Sequence, residues 1–274
     1  MTTSLRTPPP RVNGAAAAHK PAKTFNRTRG VQASAIGILV YGTGGIGKSS
    51  LSAMAPDPLV LDLERSTDRL DVERIDNIET WGDLRSFLQG DNFAGVGSIV
   101  IDSATAAEDF CRQHIIENVK TEKGATVTSI EGYGWGKGYV HLFEEWRKLL
   151  ADLDAHRRRG RNVVLICHEQ IGKVPNPSGD DYIRYQPRLY TGNQVSLLHP
   201  TKEWADEVLF ISYDVAAADG KAKGSGTRTI YSVETATHMA KTRSLDGTPM
   251  EFQKGDDSLW RLLKSQPVTD EIPG

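Results

Sequence analysis

Cysteine is nearly absent: Cys111 and Cys167 are the two in 274 residues, they lie far apart, and neither belongs to a CxxC pair. That excludes a disulfide framework and offers no zinc-ligand spacing, so both are expected as small buried apolar side chains. Long uncharged runs are missing too. Nothing approaches the roughly 18 apolar residues of a membrane-spanning helix, and the N-terminus carries no apolar secretory segment. The expectation is a soluble, cytoplasmic protein without a membrane partner. Acids are missing from residues 1–34, which hold Arg6, Arg11, Lys20, Lys23, Arg27 and Arg29; because the whole chain has a formal net charge of -2, the remainder is acidic. The same segment contains TPPPRVNGAAAAHKPAK, which cannot bury enough apolar surface to offset chain entropy. It is expected to be a disordered basic arm, serving as an inert terminus or as a nonspecific contact with nucleic acid.

From about residue 35 short apolar runs alternate with helical periodicity, the pattern of an α/β fold. Strands are expected at 35–42, 58–64, 97–103, 162–169 and 207–214. Their centres are apolar without strict alternation, as in strands covered on both faces. The clearest helix spans 138–158, with Val140, Phe143, Trp146, Leu149, Leu150 and Leu153 forming one core-facing stripe. TRTIYSVET and THMAKTRS suggest a late hairpin at the sheet edge, and DDSLWRLLK a short closing helix. One domain over 35–264 is expected, followed by a flexible tail over 265–274.

Three groups of residues carry chemistry. ILVYGTGGIGKSS fits the phosphate-binding pattern GxxxxGK[ST] as Gly42, Thr43, Gly44, Gly45, Ile46, Gly47, Lys48 and Ser49, with Ser50 completing the run. A strand leads into it and a helix can start after it. Backbone N–H groups must turn inward around phosphate oxygens, which needs glycine where a Cβ would clash or φ is positive. Lys48 would reach the β- and γ-phosphates of a nucleotide such as ATP, and the Ser49 hydroxyl would ligate Mg²⁺. SIVIDS ends a buried strand with Asp102, placed to hold that Mg²⁺ through water. LVLDLERSTDRLD puts Glu64 just past another strand, where a carboxylate could orient the water attacking the γ-phosphate; the competing reading pairs Glu64 with Arg65 or Arg69.

In that order, the P-loop, LDLE, VIDSAT, VVLICHEQ and AKTR resemble the RecA-like recombinase ATPases. More closely, residues 36–245 resemble phage-encoded RecA-like AAA proteins that include single-strand annealing proteins. The resemblance implies a RecA-like P-loop NTPase with a mainly parallel central sheet, helices on both faces and a late edge hairpin. It implies Glu64 as catalytic glutamate, Asp102 as the Walker B acid, and His168 or Gln170 as the polar group that senses the γ-phosphate. It also implies Lys241 and Arg243 as a basic pair that reaches a neighbouring subunit's nucleotide, in a homo-oligomer that is a ring or a filament. The implied role is slow, DNA-stimulated ATP hydrolysis during strand annealing or exchange in phage recombination, in the host cytoplasm.

Two long segments occupy the loop positions that contact DNA in RecA-like proteins. In the first, Tyr133, Trp135 and Lys137 combine stacking surfaces with a cation among glycines. The second carries Lys173, Arg184, Tyr185, Arg188 and Tyr190. Aromatics with cations suit single-stranded DNA, because every base presents a π-face; an active-site lid or a partner-binding loop would use the same composition. Two rival functions remain: a motor ATPase of the AAA+ or helicase type, and a non-hydrolysing annealing or loader module that uses ATP as an assembly switch.

Overall fold

A computed structural model describes residues 34–218 and 221–265, together with Arg27 and Arg29. The basic arm and the tail thus lie outside the described residues, apart from Arg27, Arg29, Ser34 and Ser265. Among the described residues, ten strands and six α-helices follow in the order β1 (Gly37–Gly42), α1 (Lys48–Ser52), β2 (Pro58–Asp62), β3 (Glu73–Ile75), α2 (Trp81–Gln89), β4 (Ser98–Asp102), α3 (Ala104–Asn118), α4 (Lys137–Arg158), β5 (Asn162–Cys167), β6 (Glu169–Val174), β7 (Tyr182–Pro187), α5 (Leu198–Trp204), β8 (Glu207–Ala218), β9 (Lys221–Tyr231), β10 (Met250–Phe252) and α6 (Ser258–Ser265).

Eight strands make one sheet in the order β10-β9-β8-β1-β5-β4-β2-β3. Six of them, from β8 through β3, run parallel, and β9 and β10 close that edge antiparallel. The five strands expected from apolar runs are all present, and β1 and β4 are buried at every position. Such strands must be covered on both faces, and they are. On one face α2, α3 and α4 pack over Leu39, Leu61, Ile101 and Leu165, with Trp81 stacked on Trp146 at 6.2 Å between centroids. On the other, α1 and α6 cover Val40, Val60, Val100 and Val164, and Trp260 Nε1 donates to Leu51 O at 2.8 Å. Within α4, the expected stripe is buried at Trp146, Leu149, Leu150 and Leu153, joined by Leu142, while Val140 faces outward.

The N-terminal edge of the sheet is locked by polar side chains. Asn162 Oδ1 accepts from Ile36 N at 3.1 Å, and Asp206 Oδ2 accepts from Gly37 N at 2.8 Å. Arg157, the first arginine of the HRRRGRN cluster, pairs with Asp206 and donates to Trp204 O, so that cation serves the fold.

Two expectations fail. The segment after β5 is a second, two-stranded sheet of β6 and β7 rather than a loop, in register from Glu169–Pro187 to Val174–Tyr182. THMAKTRS is not a strand: it contributes only the isolated bridges Tyr185–His238 and Val208–Lys241. The edge hairpin is β8–β9, with β10 outside it.

Candidate nucleotide site

β1 runs straight into the glycine-rich loop. At Gly42, φ is +152° and a Cβ would stand 2.2 Å from Ile211 O, so no other residue fits there. Gly45 and Gly47 take φ values of +75° and +109°, the region glycine enters without penalty. Space is open beside Gly44 and Gly45, where added Cβ atoms would meet nothing within 4 Å. Ile46 is fully buried, so it offers the loop only its backbone, while Ser50 is half-buried in α1.

Lys48 Nζ donates to Gly42 O at 2.8 Å and Thr43 O at 3.0 Å, which aims the ammonium across the loop mouth. Burial lowers its pKa, and the nearby carboxylate of Asp102 opposes that shift. Ser49 Oγ donates to Asp102 Oδ2 at 2.5 Å. Burial pushes the Asp102 carboxyl up to about 6; the hydrogen bond from Ser49 works against this, and the charges of Glu64 and Asp62 add to it. A hydroxyl and a carboxylate converging in this way are hard oxygen donors, the set that Mg²⁺ prefers, and a desolvated acid among other acids gains from a cation. The residues present therefore fit Mg²⁺, with Ser49 and Asp102 as its holders.

Asp62 does different work. Burial alone would raise its pKa, but donation from Thr67 Oγ1 at 2.5 Å, Ser66 N at 3.0 Å and Thr67 N at 2.9 Å holds it below the ordinary carboxylate range. It organises the turn that carries the chain past Glu64.

Glu64 sits beside this cluster. Its Oε1 accepts from Ser103 Oγ and lies 2.9 Å from His168 Nε2. Arg65 pairs with Glu79 instead, so Glu64 is not spent on its sequence neighbour. Ser103 also caps α3 by accepting from Ala106 N, which fixes its hydroxyl. Ser103 was visible in the sequence only as a small polar residue after the Walker B acid; its contact with Glu64 needed the fold. His168 is held in turn: its N–H donates to Thr105 Oγ1 at 3.1 Å, and its carbonyl accepts from Arg188 N at 2.9 Å. The other candidate for this position, Gln170, bonds Pro187 O and Leu189 O at the base of β7, so of the pair only His168 touches Glu64.

Lys241 and Arg243 lie at the opposite end of the sheet. Lys241 bridges Val208 near the start of β8, and its Nζ donates to Lys202 O, Glu203 O and Ala205 O, the closing carbonyls of α5. Arg243 pairs with Asp206 at 2.7 Å. Neither stands at the P-loop of its own chain, so a part in hydrolysis could be played only in a neighbouring subunit.

The proposed DNA-contacting residues divide. Tyr133 is a core residue whose hydroxyl donates to Ile115 O and Val119 O, so it is not free to stack on a base. Arg184 is largely buried and paired with Glu234, which removes it from the surface set. Lys137 pairs with Glu122 and Lys173 with Asp181, both in exposed positions. Arg188 is exposed, and Trp135, 92% exposed, is held out between Gly134 and Gly136 with all three at positive φ. Tyr190 stacks on Tyr139 at 4.1 Å, beneath the guanidinium of Arg112. Both cysteines are buried, and burial raises both thiols. Among the described residues no helix is long and apolar enough to cross a membrane.

A family model described as AAA domain matches residues 34–244. In fold, the chain is similar to a KaiC-like protein from the hyperthermophilic archaeon Pyrococcus horikoshii OT3, with 12% identity and a TM-score of 0.41 over 82% of this chain and 88% of that one. It is also similar to the flagellar accessory protein FlaH from Methanocaldococcus jannaschii, with 12% identity and a TM-score of 0.35 over 72% of this chain and 77% of that one. No curated protein matches.

Proposed function

The chain belongs to the AAA domain family and is a P-loop ATPase of that class; from that premise we propose that it hydrolyses ATP with Glu64 as the group that orients and deprotonates the attacking water. The observation that supports this most is the placement of Glu64 beside the Ser49–Asp102 pair, with its carboxylate fixed by Ser103 and His168. Mg²⁺ held by Ser49 and Asp102 would supply charge neutralisation at the β- and γ-phosphates. Lys48 supplies a second positive charge from across the loop, where negative charge builds in the transition state. Contacts with Ser103 and His168 give the Glu64 carboxylate a fixed orientation. Glu64→Gln tests the reading: ATP should still bind while turnover falls. Unchanged turnover would leave Glu64 without the role and favour an assembly switch.

Single-stranded DNA as the activating partner is the second reading, supported by the outer face of β6–β7. Ile171, Ile183 and Tyr185 are exposed there beside Lys173, and cross-strand pairing places them together. The same hairpin reaches Glu64 through the Arg188–His168 backbone bond and the His168 side chain. A strand laid on the hairpin could therefore act on the water-orienting carboxylate, in annealing or exchange by a homo-oligomer. Turnover measured with and without an oligonucleotide, alongside the mass of the nucleotide-bound assembly, separates this from a motor ATPase or a passive loader. Indifference to DNA at low salt would end it.

A further inference from the structure

One arginine presses on the P-loop from outside the motif. Arg228 lies in β9, opposite Tyr213 of β8 and Phe252 of β10. Its Nη1 is 3.1 Å from the point where a Cβ on Gly47 would stand, and Phe252 Cε1 is 2.9 Å from the same point. The Tyr213 ring lies 5.9 Å from its guanidinium carbon, and among the described residues it forms no ion pair with a carboxylate. Arg228 thus brings a second cation to the loop, beside the residue that precedes Lys48.

Beside Arg228 a cavity of about 390 Å³ opens at the end of the paired β9 and β10, lined by Thr227, Glu251, Phe252, Gln253 and Lys254. Its side of the loop is significant. In the proposed function, Glu64 and Asp102 stand at the γ-phosphate end of the site. In the sheet order, β4 is two strands from β1 on that side and β9 is two strands away on the other. A triphosphate is a linear chain with its nucleoside at the end remote from the γ-phosphate, so the nucleoside leaves the loop toward β8 and β9.

Building on the P-loop reading, we propose that the cavity at the end of the β9–β10 pair receives the base and ribose, with Arg228 contacting the phosphate that joins them to the loop. The guanidinium would then serve as a positive hinge between the phosphate cradle and the nucleoside pocket. The polar lining of Gln253 and Glu251 provides amide and carboxylate groups that can meet a base edge or a ribose hydroxyl.

Binding of ATP and of inorganic tripolyphosphate to the full chain, both with Mg²⁺, tests this by calorimetry. Gln253→Trp fills the cavity from an exposed position and should weaken ATP about tenfold while leaving tripolyphosphate unchanged. Arg228→Gln should weaken both ligands about tenfold, since it removes a charge-assisted contact to phosphate, and Arg228→Lys should recover part of the loss. Wild-type affinity for ATP in both Gln253→Trp and Arg228→Gln would overturn the assignment, as would equal loss of both ligands in Gln253→Trp. A wild-type chain that binds neither ligand would instead overturn the P-loop reading beneath it.

Discussion

Ser49 Oγ and Asp102 Oδ2 meet at 2.5 Å, joining the first turn after the P-loop to a strand that β5 separates from β1. The contact shows why the two motifs, 53 residues apart, form one site. The hydroxyl fixes which carboxylate oxygen faces the loop, and the carboxylate fixes the Ser49 rotamer.

Ser49→Ala removes the hydroxyl and leaves the carboxylate. The Mg²⁺ concentration giving half-maximal turnover should rise about tenfold or more, read by a Mg²⁺ titration of turnover, whereas nucleotide affinity measured by equilibrium binding in EDTA should change little.

Glu64→Gln keeps the shape and both donors' acceptor oxygen but cannot take a proton. Turnover should fall roughly 100-fold or more, with the dissociation constant for ATP unchanged within a factor of about three. Steady-state phosphate release and equilibrium binding on the same preparation separate the two effects.

Gly42→Ala places a methyl 2.2 Å from Ile211 O at a φ of +152°. Nothing flexible can yield, since the atom it meets is backbone in the neighbouring strand. A loss of about 2–3 kcal/mol in urea unfolding is expected, from overpacking and backbone strain together.

Acid should destabilise the protein through two imidazoles. Burial lowers the pKa of His156, and likewise that of His238. The unfolded chain takes up these protons near pH 6.5, which the folded chain refuses until lower pH. Their contribution to stability is therefore complete above about pH 6.5 and is lost as pH falls through the lowered folded values. Thermal midpoints at pH 7.5, 6.5 and 5.5 should descend in that order, with a shallower slope in His156→Gln.

Trp135 and Tyr133, two residues apart, should respond in opposite ways. Trp135→Ala should leave the thermal midpoint unchanged and, under the proposed single-stranded DNA reading, weaken binding of an oligonucleotide by about 1–3 kcal/mol. Tyr133→Ala removes a buried ring with two backbone acceptors, so it should cost roughly 3–5 kcal/mol of stability. Fluorescence anisotropy and thermal melting distinguish the two.

The parallel core strands and the P-loop were legible because burial on both faces leaves an unbroken apolar run, and because a phosphate cradle needs glycine at set positions. The helix after Asp102 was not, since α3 buries Thr105 and Glu108 and so lacks a clean apolar stripe. Glu108 pairs with Arg112 one turn on and also accepts from Tyr190 N, 82 residues away, a contact that no local pattern announces. The β6–β7 hairpin was hidden by Gly172, Pro175 and Pro177, which read as loop even though the prolines fall in the turn between its strands. AKTR misled in the other direction. Alternating cations suggest a strand face, but the Lys241 ammonium is drawn to three carbonyls at the end of α5. Glu64, Asp102 and His168 could be named from sequence as separate strand ends; their convergence depended on a strand order that no single motif encodes.

The parallel sheet also gives the molecule a polarity for reading genetic variation. Every parallel strand delivers its last residues to the nucleotide edge, while Asn162, Asp206 and Lys241 fasten the edge where the strands begin. In a saturation library scored for both abundance and turnover, substitutions at the fastened edge should reduce the amount of protein, and those at the delivering edge should yield abundant protein that does not turn over. Position along a strand, more than residue type, would then sort loss-of-function alleles into two phenotypic classes.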